Sequence, residues 1–227
     1  MRVIITGATG MVGRSVLNQC IESEHVAQIT VITRKTLGVT HPKVKELIHQ
    51  DFADFSSLEK ELHNYDACFH CMGVSSFGMS EQDYTRLTYD ITLALASTLV
   101  SASPHMTMTY VSGTGADSTE NGSSMWARVK GKTENMLLKI GFKDAYMFRL
   151  GALLPQHGVK SKTTLYNLLY LALRPVYPLL PKLMAATTSE QLGNAMIHAV
   201  LSPQPQKILE NNDINRLASD GSQQHSS

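Results

Sequence analysis

The residues best suited to chemistry stand at the amino terminus, where the apolar run Val3–Thr6 opens directly into Thr6-Gly7-Ala8-Thr9-Gly10-Met11-Val12-Gly13. Glycines three apart, between a strand and an amphipathic helix, make a turn that cradles phosphate. Gly7 permits the tight bend, Gly10 lets backbone approach a pyrophosphate, and Gly13 lets the helix pack near the sheet with its amino end facing the anion. A P-loop does not fit, because its first required glycine would fall at Ala8 and its phosphate-reaching lysine at Arg14. The strand–turn–helix setting reads as a dinucleotide turn rather than a merely structural bend.

Ligands of open α/β sheets lie across the carboxyl ends of the strands, which singles out further positions. Arg34 and Lys35 follow the second candidate strand with no carboxylate beside them. A ribose 2′-phosphate needs positive charge there and a free ribose needs an acidic group, so NADP is favoured over NAD. The plainer reading of the basic pair is a solvated strand end. Asp51 and Phe52 follow the third strand, where they could face adenine. Cys71, Met72 and Gly73 follow the fourth, where glycine permits close approach to the cofactor. Each also reads as an ordinary turn.

These positions need a sheet to hold them. Short apolar or β-branched runs at Val3–Thr6, Ile29–Thr33, Val44–Ile48, Ala67–Cys71, Met106–Val111 and Ala145–Leu150 alternate with amphipathic stretches. That alternation is the pattern of an α/β protein, a Rossmann-like doubly wound parallel sheet of six strands with helices on both faces. Val12, Val16, Leu17 and Cys20 share one helical face, as do Leu87, Ile91, Leu95 and Leu99 on a helix expected from near Ser80 to Pro104. Another helix should start after Ser123 or Ser124 and stop at Gly141, a natural left-handed terminator. After Leu150 the alternation weakens. Residues 151–187 read as a lid or small substrate lobe, Ser189–Leu201 as a helix, and 219–227 as a mobile polar tail, so that 1–218 make one domain.

The 227 residues carry 20 Lys+Arg against 19 Asp+Glu, so no global field favours nucleic acid or an anionic membrane. The most apolar late stretch, Leu165–Met184, is broken by Arg174, three prolines and Lys182 and cannot span a bilayer. Its leucines and tyrosines form a broad apolar face suited to core or lid packing, or else to an apolar substrate pocket or a partner surface. Three cysteines, Cys20, Cys68 and Cys71, are too few for a disulfide scaffold, and with no export signal they fit a cytoplasmic protein. Cys68-Phe69-His70-Cys71 is a CxxC, but on a strand residues three apart face opposite ways, so core cysteines are expected and no metal site.

The sequence TGATGMVG, with Arg34, Asp51-Phe52 and the Cys71-Met72-Gly73 turn, resembles the short-chain dehydrogenase/reductase superfamily. The likeness is to its atypical members, the Tat-interacting oxidoreductase-like and NAD(P)-binding epimerase-like proteins, and runs from residue 1 to about Leu201. The resemblance implies that Gly7, Thr9, Gly10, Met11 and Gly13 form the diphosphate loop, that Arg34 meets the 2′-phosphate, and that Asp51 and Phe52 meet adenine. Arg149-Leu150-Gly151 would match the turn lining the nicotinamide, with Leu150 in place of the usual proline and Gly151 retained.

Catalysis in that family uses a Ser or Thr after the fifth strand and a Tyr-x-x-x-Lys pair on the next helix. A tyrosine with a pKa of about 10 delivers a proton to a carbonyl only when a neighbouring cation lowers that value. The matching segment here keeps Lys130, which could also hold the nicotinamide ribose, but Trp126 occupies the tyrosine position. Indole donates a hydrogen bond and does not usefully titrate. Ser112 and Thr114 both stand where the hydroxyl belongs. The resemblance thus implies an NADP(H)-binding oxidoreductase or epimerase-like enzyme for a small carbonyl or hydroxyl substrate. A different class of reading is a non-catalytic NADP(H)-sensing regulator with a protein partner, and a third is an interaction module with a vestigial pocket; the partners left open are another protein or a second copy of the chain in a homo-oligomer.

Overall fold

The computed structural model describes residues 1–154 and 186–223. The expected lid, for all but its first and last few residues, and the Leu165–Met184 face lie outside the described residues. In chain order the main elements are β1 (Arg2–Thr6), α1 (Met11–Glu22), β2 (Gln28–Thr33), β3 (Val44–Ile48) and β4 (Ala67–His70). There follow α2 (Glu81–Thr85), a π-helical turn (Arg86–Asp90), α3 (Ile91–Ala102), β5 (Thr107–Gly113), α4 (Met125–Lys139) and β6 (Asp144–Leu150). The short strands β7 (Leu153–Leu154) and β8 (Thr187–Thr188) pair with each other, and the chain ends with α5 (Ser189–Leu201), β9 (Ile208–Glu210) and α6 (Asn211–Gln223).

The main sheet runs β3-β2-β1-β4-β5-β6-β9, and every adjacent pair is parallel. The order reverses between β1 and β4, which opens a crevice at their carboxyl ends. Alternate strand residues supply opposite cores. Val3, Ile5 and Phe69 pack with Val16 and Leu17 of α1 and Leu192 and Met196 of α5. Ile4, Cys68, Met108 and Tyr110 pack with Leu95 and Leu99 of α3 and Leu137 of α4. The CxxC follows this alternation, with Cys68 in one core and Cys71 in the other, both reduced and buried. Burial raises the pKa of both thiols, that of Cys71 to about 12, so neither is a ready nucleophile.

The expected six-strand sheet needs correction: β9 is a seventh strand, paired through Met147–Arg149 of β6. Three residues with little alternation leave too short a signal to read, and their strand character comes from the edge they complete. α6 likewise runs to Gln223, into the segment 219–227 expected to be a tail. Ile214, Leu217 and Ala218 anchor it at helical spacing, and the Ser219 side-chain hydroxyl folds back to donate to the Asn215 carbonyl at 3.0 Å. Other boundaries fall close to expectation. Ser80 caps α2, accepting from the Asp83 amide at 3.1 Å, and Gly141 ends the α4 region at φ +116°.

Candidate functional site

The glycine turn closes on itself by a hydrogen bond from the Gly10 amide to the Gly7 carbonyl at 2.9 Å. Gly7 sits at φ +75°, and a Cβ there would stand 2.6 Å from the Cys71 carbonyl carbon and oxygen. A Cβ on Gly13 would stand 2.5 Å from the Gly7 carbonyl carbon and nearer still to its oxygen. The turn, the first coil of α1 and the Cys71-Met72 backbone therefore fit together only because both side chains are absent. Gly10 stands at the cap position of α1 with no side chain to bond its amides, and the first turn has no acidic residue. Its leading amides and positive dipole end are thus available to an anion, which is what a dinucleotide diphosphate requires. Thr9 is exposed at the rim, and Met11 is partly buried against the α1 core.

At the far side of the switch point, the Thr33 hydroxyl donates to the Lys35 carbonyl at 2.8 Å and shapes the turn that presents Arg34 and Lys35, both exposed. Gln50 pins that turn to the end of β3 by donating to the Arg34 carbonyl at 2.7 Å. The Arg34 guanidinium lies 5.8 Å from the centre of the Phe52 ring. Asp51 accepts from the Ala53 amide at 2.9 Å and so holds the turn that carries Phe52. Arg34, Asp51 and Phe52, separate in sequence, form one corner. Gly73 has open space where a Cβ would be.

The third group lies at the ends of β5 and β6. Lys130, on α4, donates to the Val111 carbonyl at 3.2 Å, with its ammonium 4.8 Å from the Tyr110 ring centre. Burial lowers the pKa of this lysine from its ordinary value, against the opposing pull of Tyr84 and Glu134. One turn earlier, the Trp126 indole lies over the strand end, 3.5 Å from where a Gly113 Cβ would stand and 3.6 Å from that of Gly115. The two candidate hydroxyls differ. Ser112 Oγ is buried without a hydrogen-bond partner, whereas Thr114 donates to the Arg149 carbonyl at 3.0 Å. Leu150 accepts from the Thr114 amide at 3.2 Å, and the Gly151 amide donates to Asn211 at 2.7 Å, so this turn is tied to β5 and α6.

Residues 3–125 match the model of the NAD dependent epimerase/dehydratase family. The chain belongs to that family. Protein FMP52-1, mitochondrial, of Scheffersomyces stipitis is 26% identical over 170 residues, 74% of each chain. Protein HTATIP2 of Rattus norvegicus is 26% identical over 155 residues, 67% of this chain and 62% of that one. The yeast methylglyoxal/isovaleraldehyde reductase Gre2, solved with NADPH, shares the fold at TM-score 0.66 and 11% identity, over 92% of this chain and 77% of that one. FMP52-1 is named as mitochondrial, a location that the cytoplasmic expectation does not share.

Within this NAD(P)-binding epimerase/dehydratase framework, several residues that hold the site carry no signal in the sequence. Gly131, next to Lys130, is needed because a Cβ there would collide with the Asp117 carbonyl in the loop that covers α4. Glu134, fully buried, accepts from Arg149 Nη2 at 2.6 Å and fixes α4 to β6. His70 lies between Thr6 and Thr92, within hydrogen-bond distance of both. The helical spacing of Trp126, Lys130 and Glu134 could have drawn attention to one stripe of α4. Nothing local identifies the partners from other elements.

Proposed function

We propose that this chain binds NADP(H), with the diphosphate on the α1 amides and the 2′-phosphate at Arg34 and Lys35. It acts as an oxidoreductase or epimerase-like enzyme on a small carbonyl or hydroxyl compound. The observation that carries the reading is the fit of the glycine turn: an uncapped helix end, free of acidic side chains, behind two glycines whose Cβ atoms would meet backbone. The Arg34–Phe52 corner supports the phosphate-bearing dinucleotide, since the cation is exposed and the ring stands ready to cover adenine. The bound nicotinamide supplies or accepts hydride. Lys130 would hold the nicotinamide ribose, its cation fixed at the end of β5. The Ser112 hydroxyl is unengaged but buried, so it would meet a substrate oxygen only if the wall around it yields, whereas Thr114 is exposed and its hydroxyl donates to the Arg149 carbonyl. Trp126 closes the strand end with an apolar plate and supplies no proton, so the proton must come from Ser112, from water or from the substrate.

Trp126 is the only tryptophan, so titration of its fluorescence with NADPH and NADH tests binding directly. Saturable quenching or enhancement, tighter for NADPH, is expected; no change with either coenzyme, confirmed by calorimetry, overturns the reading. Turnover of an aldehyde panel that disappears in Lys130→Ala would establish the catalytic part, and unchanged turnover in that variant would reject the lysine's role.

A second reading, an NADP(H)-responsive regulator with a protein partner, is favoured by one observation. The position one turn before Lys130 holds an indole packed on Gly113 and Gly115 rather than a titratable group. Reductase activity that appears in Trp126→Tyr and is absent from the natural chain would support the regulator. Robust natural turnover would remove it.

A further inference from the structure

Between the glycine turn and the helices that carry the substrate side lies a buried polar chain, and its hydrogen positions follow from its distances. The Thr92 hydroxyl is 2.6 Å from the Thr88 carbonyl, which can only accept, so Thr92 gives its single proton there. Thr92 Oγ1 is also 3.0 Å from His70 Nε2. With its own proton used, that oxygen must accept, and Nε2 must carry hydrogen. In a neutral ring Nδ1 is then the lone-pair nitrogen, and it takes the Thr6 hydroxyl proton across 2.6 Å. The ring is buried, stacked against Tyr110 at 5.6 Å between centres, and burial with the nearby Lys130 cation lowers its pKa to about 3.

We propose that His70 is a positioning residue for the dinucleotide turn, acting as the neutral Nε2–H tautomer that bonds Thr6 at one end and Thr92 at the other. This rests on the reading of that turn as the coenzyme site. Thr6 is the residue from which the chain enters Gly7, and its carbonyl also accepts from the Cys71 amide at 3.2 Å. Backbone and side chain together thus fix the angle at which the turn leaves β1. At its other end the chain of bonds reaches the Thr88 carbonyl inside the π-helical turn, where helix geometry is least regular. That turn packs on α4: the Lys132 ammonium lies 4.6 Å from the Tyr89 ring centre. His70 therefore braces the phosphate cradle against the helix that presents Lys130. A phenyl ring could keep the stacking on Tyr110 but would leave two hydroxyl groups without their partner.

The test begins with the unliganded protein labelled with 15N at histidine, using long-range proton–nitrogen correlation. The expected spectrum shows His70 as a neutral Nε2–H ring that does not titrate between pH 5 and 8; an Nδ1–H ring or an imidazolium overturns the proposal. NADPH is then added, and the His70 Nδ1 resonance is expected to shift, because the hydroxyl it accepts from is that of Thr6, the residue that leads into the occupied turn. A resonance that stays fixed at saturation overturns the proposal. His70→Phe is expected to raise the NADPH Kd about tenfold with the far-UV circular dichroism unchanged, and an unaltered Kd overturns the proposal. Should that variant fail to fold, Thr6→Val is expected to weaken NADPH about tenfold and Thr6→Ser to restore it; equal Kd values for the two overturn the proposal. If the natural chain binds no coenzyme, the positioning role falls with the coenzyme reading, while the tautomer, measured without ligand, still reports whether the bond chain was assigned correctly.

Discussion

Arg149 and Glu134 meet in a nearly water-free seam between β6 and α4, the guanidinium donating through Nε and Nη2 to both carboxylate oxygens at 2.6–3.2 Å. Glu134 has no exposed side-chain surface, and Arg149 keeps 13%. Arg149 also reaches Ser118 at 2.6 Å, in the loop that covers α4, and Glu210 of β9 at 3.4 Å. The hydrogen bonds to Glu134 raise the guanidinium pKa above its ordinary value. Removing one partner leaves the other charge buried, which typically costs about 3–5 kcal/mol. Arg149→Met is expected to lower unfolding stability by that order in urea titrations. The double variant Arg149→Met with Glu134→Leu should recover most of the loss, since a pair of apolar residues leaves no uncompensated charge.

Gly131 permits the Asp117–Ser118 backbone to lie directly on α4. An alanine there has no flexible neighbour to displace, only peptide atoms. Gly131→Ala is expected to destabilise by roughly 2 kcal/mol or more, a fall of about 4–8 °C in Tm measured by calorimetry. Because the helix must move away from the loop, Lys130 should also lose its register with the Val111 carbonyl, and coenzyme affinity should fall in parallel.

Coenzyme preference isolates one side chain. Arg34 stands at the Phe52 ring, where a 2′-phosphate would receive a charge-assisted hydrogen bond and a plain ribose hydroxyl would not. Arg34→Ser is expected to raise the Kd for NADPH about tenfold or more and to leave that for NADH nearly unchanged, as read by Trp126 fluorescence. Equal weakening of both coenzymes would place the phosphate elsewhere.

Stability should decline in mild acid, and His70 fixes the sign. Its folded pKa of about 3 lies below the ordinary histidine value of 6.5, so between those limits the unfolded chain binds a proton that the native chain refuses. Stability is therefore whole above pH 6.5 and falls as pH drops toward 3, by up to about 1.4 kcal/mol per pH unit for this group. Chemical denaturation at pH 7, 6, 5 and 4 should show the decline. In His70→Gln the slope should be shallower by about one proton. An identical slope would show that His70 is not the residue responsible.

The sequence was most readable where one residue's type constrains its own backbone. Gly7 and Gly13 announce a turn because a side chain cannot fit there, and strand period two sends Cys68 and Cys71 into different cores without any knowledge of neighbours. The Arg34–Phe52 corner was readable at one remove, since both follow strands whose carboxyl ends must lie together in a parallel sheet. β9 was not, because three residues become a strand only when the exposed edge of β6 offers them hydrogen bonds.

By itself, then, the chain determines its α/β class, the strand–turn–helix at the amino end and the placing of Trp126 one helical turn before Lys130, all properties of local spacing. Only the tertiary structure decides that Ser112 keeps a free hydroxyl while Thr114 does not, that Glu134 finds Arg149, and that His70 joins Thr6 to Thr92. Each of those outcomes is the presence or lack of a polar partner on another element, decided when water is expelled. The pattern of residues along one segment can show that a polar group will be buried, but not which donor or acceptor will meet it there.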